Sequence, residues 1–167
     1  YDVRRDEPVT IDGWTPENYS RVYSGPITLS EALKDSINTV AAQLGQEVGL
    51  DNVITLAKSF GITSDLKPRP SLALGSGEVS LRDLARAYGV FMTGGKRIDP
   101  YIVEKISNSR GDVLYERPEY ELQQVYNRRD AETMVAMMSR VINDGTGTRA
   151  RLDGWQIAGK TGTSQDF

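Results

Sequence analysis

Near the end of the chain, Gly159-Lys160-Thr161-Gly162-Thr163 sets one ammonium beside two hydroxyls, with a glycine between them. Such a strip can hold a carboxylate: lysine by charge, threonines by hydrogen bonds, and glycine by leaving the backbone open to close approach. A second short motif, Ser36-Ile37-Asn38, offers a hydroxyl that can pass a proton and an amide that can bind a peptide group. Residues two apart do not share a helix face, so Ser36 and Asn38 can converge on one cleft only from a turn between two helices. The plainer role for either is to cap the second helix. Ser64-Asp65-Leu66-Lys67 repeats an S-x-x-K spacing, but in a proline-bearing stretch with no apolar helical face after it, so Ser64 is not read as a nucleophile. Lys160 also completes G-x-x-x-x-G-K-T over residues 154–161. Bulky Trp155 and Ile157 at the x positions, and Gly162 just after, oppose a phosphate loop, which needs a flexible turn followed by a helix.

Bulk properties narrow the chemistry. The sequence has neither cysteine nor histidine, which removes thiolate nucleophiles, disulfides and the usual base of a serine hydrolase. Acid–base work must fall to lysine, carboxylates, tyrosine or hydroxyl relays, and no metal site or cofactor is expected. A net charge of −3 with scattered Lys and Arg argues against nucleic acid as a partner. Hydrophobic residues at 38% across 167 positions suffice for one domain with a core.

The elements that must position these groups follow from local signals. Thr28-Leu29-Ser30-Glu31 has capping-box spacing and opens a short helix to about Asp35. A second helix carries Val40, Ala41, Leu44 and Val48 and stops at Gly49. A third presents Val53, Leu56, Ala57 and Phe60, with Gly61 past its end. Residues 62–79 read as loop. Ser80 caps a helix bearing Leu81, Leu84, Ala85, Tyr88 and Met92. A hairpin is expected around Ser107–Gly111, and a helix over roughly 130–143 with Met134, Val135, Met138, Val141 and Ile142 inward. Trp155–Ala158 reads as a strand leading into Gly159 and Lys160. Residues 1–27 read as extended surface structure. Helices with late strands indicate an α+β fold.

Taken together these residues resemble the transpeptidase domain of class A penicillin-binding proteins, the bifunctional peptidoglycan synthases. Gly13-Trp14-Thr15-Pro16-Glu17-Asn18-Tyr19 is similar to the segment between that family's first and second motifs. Ile27–Leu33 and Ser36–Ala41 resemble its S-x-N region, Pro70–Gly75 and Glu78–Ser80 the loop and helix start that follow. Asp144-Gly145-Thr146-Gly147-Thr148 and Gly159–Thr163 resemble the approach to its K-T-G strand. The resemblance implies the penicillin-binding transpeptidase, or serine β-lactamase-like, fold: an antiparallel sheet flanked by helices. Residues 1–167 would be a partial domain, with the S-x-x-K segment and its nucleophilic serine expected upstream of Tyr1 and further strands after Phe167.

The resemblance also implies a reaction: serine acyl transfer at D-Ala–D-Ala of peptidoglycan stem peptides, with β-lactams as substrate mimics and no cofactor. Catalytic roles then fall on Ser36 as proton relay, Lys160 as its partner and Thr163 as an oxyanion donor. Substrate-binding roles fall on Asn38, Thr161, Gly162 and Thr163. Implied partners are stem peptides, β-lactams and the rest of the synthase, including a glycosyltransferase domain, with a membrane reached only through an N-terminal anchor outside the chain. The implied location is the cell envelope, on the periplasmic side of the inner membrane. The alternative is an inert or sensory module of the same fold. The isolated fragment is expected to be inactive.

Overall fold

Thr28 starts the helical part of the chain as its spacing predicts. In the computed structural model, which describes residues 2–163, the Thr28 hydroxyl accepts the Glu31 N–H at 3.2 Å and the Glu31 carboxylate accepts the Thr28 N–H at 3.3 Å. This box opens α1 (Leu29–Lys34), followed by α2 (Asn38–Val48) and α3 (Leu50–Ser59). Gly49 joins α2 to α3 at φ +87°, a left-handed value that only glycine adopts cheaply. α4 (Leu81–Met92) is capped by Ser80, whose hydroxyl accepts the Asp83 N–H at 3.1 Å. α5 (Arg128–Asp144) is capped by Asn127. The loop at 62–79 contains a single 3-10 turn, Pro70–Leu74.

The strands form two antiparallel pairs. β1 (Val3–Asp6) runs against β2 (Gly25–Thr28), with Val3 opposite Thr28 and Asp6 opposite Gly25. This pairing falls within the extended structure expected of residues 1–27, but nothing in the sequence predicts it; Val-Arg-Arg-Asp is too short and polar to announce a strand. Between the two strands, Asp12 and Gly13 both take positive φ, and Ile11 and Trp14 exchange main-chain hydrogen bonds at 2.8 and 2.9 Å. That is the geometry of a tight two-residue reversal. β3 (Lys105–Ser107) pairs with β4 (Val113–Glu116), the expected hairpin, shorter than its apolar pattern suggests.

Two expectations fail for identifiable reasons. Trp155–Ala158 is not a strand: no described strand lies beside it, and Trp155 is 77% exposed. Its main-chain ties run to Leu152 and, through the Gly159 N–H, to Met138 of α5 at 3.3 Å. On α4 the residues picked out by apolar spacing are exposed, Leu81 and Met92 most of all, and the helix instead buries Ala87, Gly89 and Val90. Small residues allow closer approach, and Ala87 and Val90 pack with Phe60 in a cluster bordered by Phe91 and Tyr126. Phe60 meets Phe91 and Tyr126 edge-on at 5.4 and 5.2 Å, the arrangement ring quadrupoles favour.

α5 is the post on which the site is built. It buries Ala131, Met138, Val141 and Ile142 and packs along α1, where Arg140 donates to the Ser30 hydroxyl at 2.8 Å.

Candidate active site

α1 ends in a way that creates the Ser36 turn. Ser36 takes φ +59°, its N–H donates to Leu33 at 3.2 Å, and the Ile37 N–H donates to Ala32 at 2.9 Å. These are the two reversed bonds of a Schellman motif, with Ser36 at the left-handed position where glycine is usual. A side chain there costs about 1–2 kcal/mol. The turn takes the chain off α1, and Asn38 begins α2 just beyond.

The lysine strip comes to the same place. Lys160 Nζ lies 2.7 Å from Ser36 Oγ and 3.0 Å from the Thr161 carbonyl oxygen. Burial lowers the Lys160 pKa below the ordinary lysine value, and no described carboxylate pulls it back. The ammonium is thus partly desolvated but tied only to neutral oxygens, a condition that favours an incoming anion.

A loop between α5 and the strip sets its position. Gly145 sits so close to α1 that a Cβ would lie 2.6 Å from the Lys34 carbonyl oxygen. The Thr146 N–H donates to that same carbonyl at 3.3 Å, and the Thr146 and Thr161 hydroxyls are 2.7 Å apart. Thr161 is therefore placed from α1 through Thr146. Thr161, Gly162 and Thr163 are exposed, and a Cβ on Gly162 would meet nothing within 4 Å, so the strip is open on its outer side.

Asn38 is held at two points. Its side-chain Nδ2 donates to the Glu17 carbonyl at 2.7 Å, and its main-chain N–H donates to Asn18 Oδ1 at 3.0 Å. The Glu17 bond occupies one hydrogen of the Asn38 amide nitrogen. The residue at the cap position, Ile37, has no capping side chain. Neither Ser36 nor Asn38 performs the capping role weighed for them in the sequence.

The structure thus joins Ser36 to Lys160, which also touches Thr161, and seats Asn38 at the start of α2, two residues on. Ser64 stands apart from this arrangement: it is not helical, its hydroxyl faces the Asp83 carboxylate at 3.5 Å, and Lys67 pairs with Asp65. Nor does a helix follow Lys160 among the described residues, as a phosphate loop would require. The sequence reading missed Asp6, Asn18 and Thr146. The Asp144–Thr148 run, rich in turn formers, was the one signal that could have pointed to Thr146.

A family model described as the penicillin binding protein transpeptidase domain matches residues 2–167. The chain belongs to that family. Among its transpeptidase relatives, penicillin-binding protein 1A of Aquifex aeolicus (strain VF5) is 39% identical over 162 residues, a match that takes in 96% of this chain and 22% of that protein. The chain therefore spans less than a quarter of that curated relative's length. The D,D-transpeptidase domain of a peptidoglycan glycosyltransferase from Eggerthella lenta superposes with TM-score 0.83 at 25% identity, over 99% of this chain and 48% of that one. Penicillin-binding protein 1A from Haemophilus influenzae gives TM-score 0.78 at 26% identity, over 88% of this chain and 28% of the other. The transpeptidase fold and its mixture of helices and antiparallel strands agree with what the motifs implied.

Proposed function

We propose that residues 1–167 are the S-x-N to K-T-G portion of a D,D-transpeptidase domain, and that the whole protein cross-links peptidoglycan stem peptides by serine acyl transfer. The observation that carries this reading is the 2.7 Å contact between Lys160 Nζ and Ser36 Oγ, two side chains that lie 124 residues apart. In the proposed reaction a serine supplied by an S-x-x-K segment attacks the carbonyl carbon between two D-alanines. Its proton passes to the lysine of that segment. The C–N bond then breaks, and the leaving amine of D-alanine takes its proton through Ser36. An amine of a neighbouring stem peptide next attacks the acyl-serine, the C–O bond breaks, and the serine recovers its proton.

The residues divide the tasks of that sequence among them. Lys160 holds the Ser36 hydroxyl and attracts the terminal carboxylate of the donor peptide. Thr161 and Thr163 hydrogen-bond that carboxylate. The Thr163 N–H stabilises the developing oxyanion, a contribution worth about 2.7–4 kcal/mol in enzymes of this type. Asn38 binds a peptide amide, and Gly162 leaves room for the peptide to lie against the backbone. β-Lactams would enter by the same route and remain as acyl-serine. The partners follow from the chemistry: stem peptides, and a glycosyltransferase domain in the same synthase. The site of action would be the outer face of the bacterial inner membrane.

The test is labelling of the full-length protein with a fluorescent penicillin. Covalent label that falls sharply in Lys160→Ala supports the assignment. An unlabelled wild type, or Lys160→Ala reacting at the wild-type rate, overturns it. Label on residues 1–167 alone would also contradict it, since the proposed nucleophile lies elsewhere.

A further inference from the structure

Ser36 and Asn38 flank the start of α2, and serine and asparagine are among the best helix-capping residues. Used as caps, their side chains would turn toward the α2 backbone and away from the cleft. The structure meets that demand from elsewhere. Asn18 Oδ1 accepts the N–H groups of Asn38 and Thr39 at 3.0 and 3.3 Å, the first two donors of the helix. A residue distant in sequence thus performs the capping that Ile37 cannot.

The Asn18 amide is itself fixed. Its nitrogen donates to Asp6 Oδ1 at 2.7 Å and to the Val22 carbonyl at 3.1 Å, which uses both hydrogens and leaves the oxygen to face α2. Asp6 also takes the Thr39 hydroxyl at 2.7 Å and the Ser24 N–H at 2.8 Å. Asp6, Asn18 and Thr39 are 1%, 3% and 0% exposed, so water offers these groups no alternative partners. The arrangement links the end of β1, the Gly13–Tyr19 segment and the start of α2 into one polar knot.

We propose that Asn18, oriented by the Asp6 carboxylate, is a positioning residue of the acyl-transfer site: by capping α2 remotely it leaves the Ser36 hydroxyl free for Lys160. The inference rests on the transpeptidase reading above. Without the Asn18 amide, the bare N–H groups of Asn38 and Thr39 need another acceptor, and the Ser36 hydroxyl, two and three residues before them, can be drawn from Lys160 to supply it.

The experiment uses the full-length protein and the fluorescent penicillin. It measures separately the acylation rate constant and the fraction labelled at saturation. In Asn18→Ala the rate constant should fall on the order of 10²-fold, the scale of a small misplacement at a reacting centre, while the labelled fraction holds. Because Asn18 acts through Ser36, Asn18→Ala in a Ser36→Ala background should add little further loss. Should Asn18→Ala not fold, Thr39→Val replaces it in the same cycle, with Thr39→Ser, which keeps the hydroxyl bond to Asp6, restoring the rate. Losses that multiply with Ser36→Ala, or a lowered labelled fraction with an unchanged rate constant, overturn the inference and leave the knot as scaffold only. A labelled wild type combined with either result refutes this inference alone; an unlabelled wild type refutes the transpeptidase reading and the inference with it.

Discussion

Lys160 Nζ donates to Ser36 Oγ at 2.7 Å, and the serine that receives it sits in a left-handed backbone conformation at the end of α1. The contact joins a cation lacking any described carboxylate partner to a hydroxyl whose own backbone is strained. Both conditions are unfavourable for stability taken alone, and both fit the anionic peptide end proposed to bind here.

The charge on Lys160 should be visible in the pH dependence of carboxylate recognition. Burial lowers its pKa below the ordinary 10.5, so the ammonium is lost earlier as pH rises. Apparent affinity for a carboxylate-bearing β-lactam should weaken on the alkaline side, from a pH below 10.5. In Lys160→Arg, which stays charged, that alkaline limb should vanish. The same group moves stability the other way: its charged form is disfavoured by folding, so its contribution improves between the folded and unfolded pKa values. Binding that weakens while this contribution rises separates the effect from unfolding. A limb that survives in Lys160→Arg would assign the titration to another group.

The left-handed turn at Ser36 gives a stability test. Ser36→Ala and Ser36→Gly both remove the hydroxyl proposed as relay, and acylation should fall in both. Only glycine relieves the positive φ, so Ser36→Gly should be more stable than Ser36→Ala by about 1 kcal/mol. Chemical denaturation of the two variants checks this, and equal stabilities would mean that the turn is not strained.

Two glycines near the strip should behave oppositely. A Cβ at Gly162 meets nothing within 4 Å, so Gly162→Ala should change stability by no more than about 0.5 kcal/mol while slowing acylation. At Gly145 the new Cβ would lie 2.6 Å from the Lys34 carbonyl, and Gly145→Ala should cost about 1–3 kcal/mol. Thermal melts paired with labelling rates distinguish the two. Unimpaired acylation in Gly162→Ala would show that substrate does not approach this backbone.

Asp6 should contribute to acid sensitivity. Burial alone would raise its pKa; bonds from the Thr39 hydroxyl, the Ser24 N–H and the Asn18 amide outweigh burial and lower it. The stabilisation is therefore present above about pH 3.8 and is lost as pH falls through the lower folded value. Asp6→Asn should cost about 1–3 kcal/mol near neutrality, and its difference from wild type should shrink as the solution is acidified below that point. Unfolding free energies across pH would record it; a constant difference would mean Asp6 is not ionised in the fold.

These residues also show what could be read from sequence. Thr28 with Glu31, and Ser80 before α4, were legible because a cap and its partner lie within one turn. The S-x-N and K-T-G strips were legible as short motifs, and the need for an interhelical turn followed from helix periodicity alone. The Asp6–Asn18–Thr39 knot was not, since its members lie in separate segments and bond through folding rather than spacing. The left-handed Ser36 was hidden because serine is not the residue that position selects. On α4, apolar periodicity marked Leu81 and Met92, whereas closeness of packing selected Ala87 and Gly89.

The seating of Thr146 between the Lys34 carbonyl and the Thr161 hydroxyl has a temporal consequence. A ribosome delivers α1 more than a hundred residues before the lysine strip, and the strip finds its place only by closing onto α1 and α5. The Lys160–Ser36 contact thus forms only after both segments have emerged, and a folding intermediate with every helix in place but the strip undocked would still lack it.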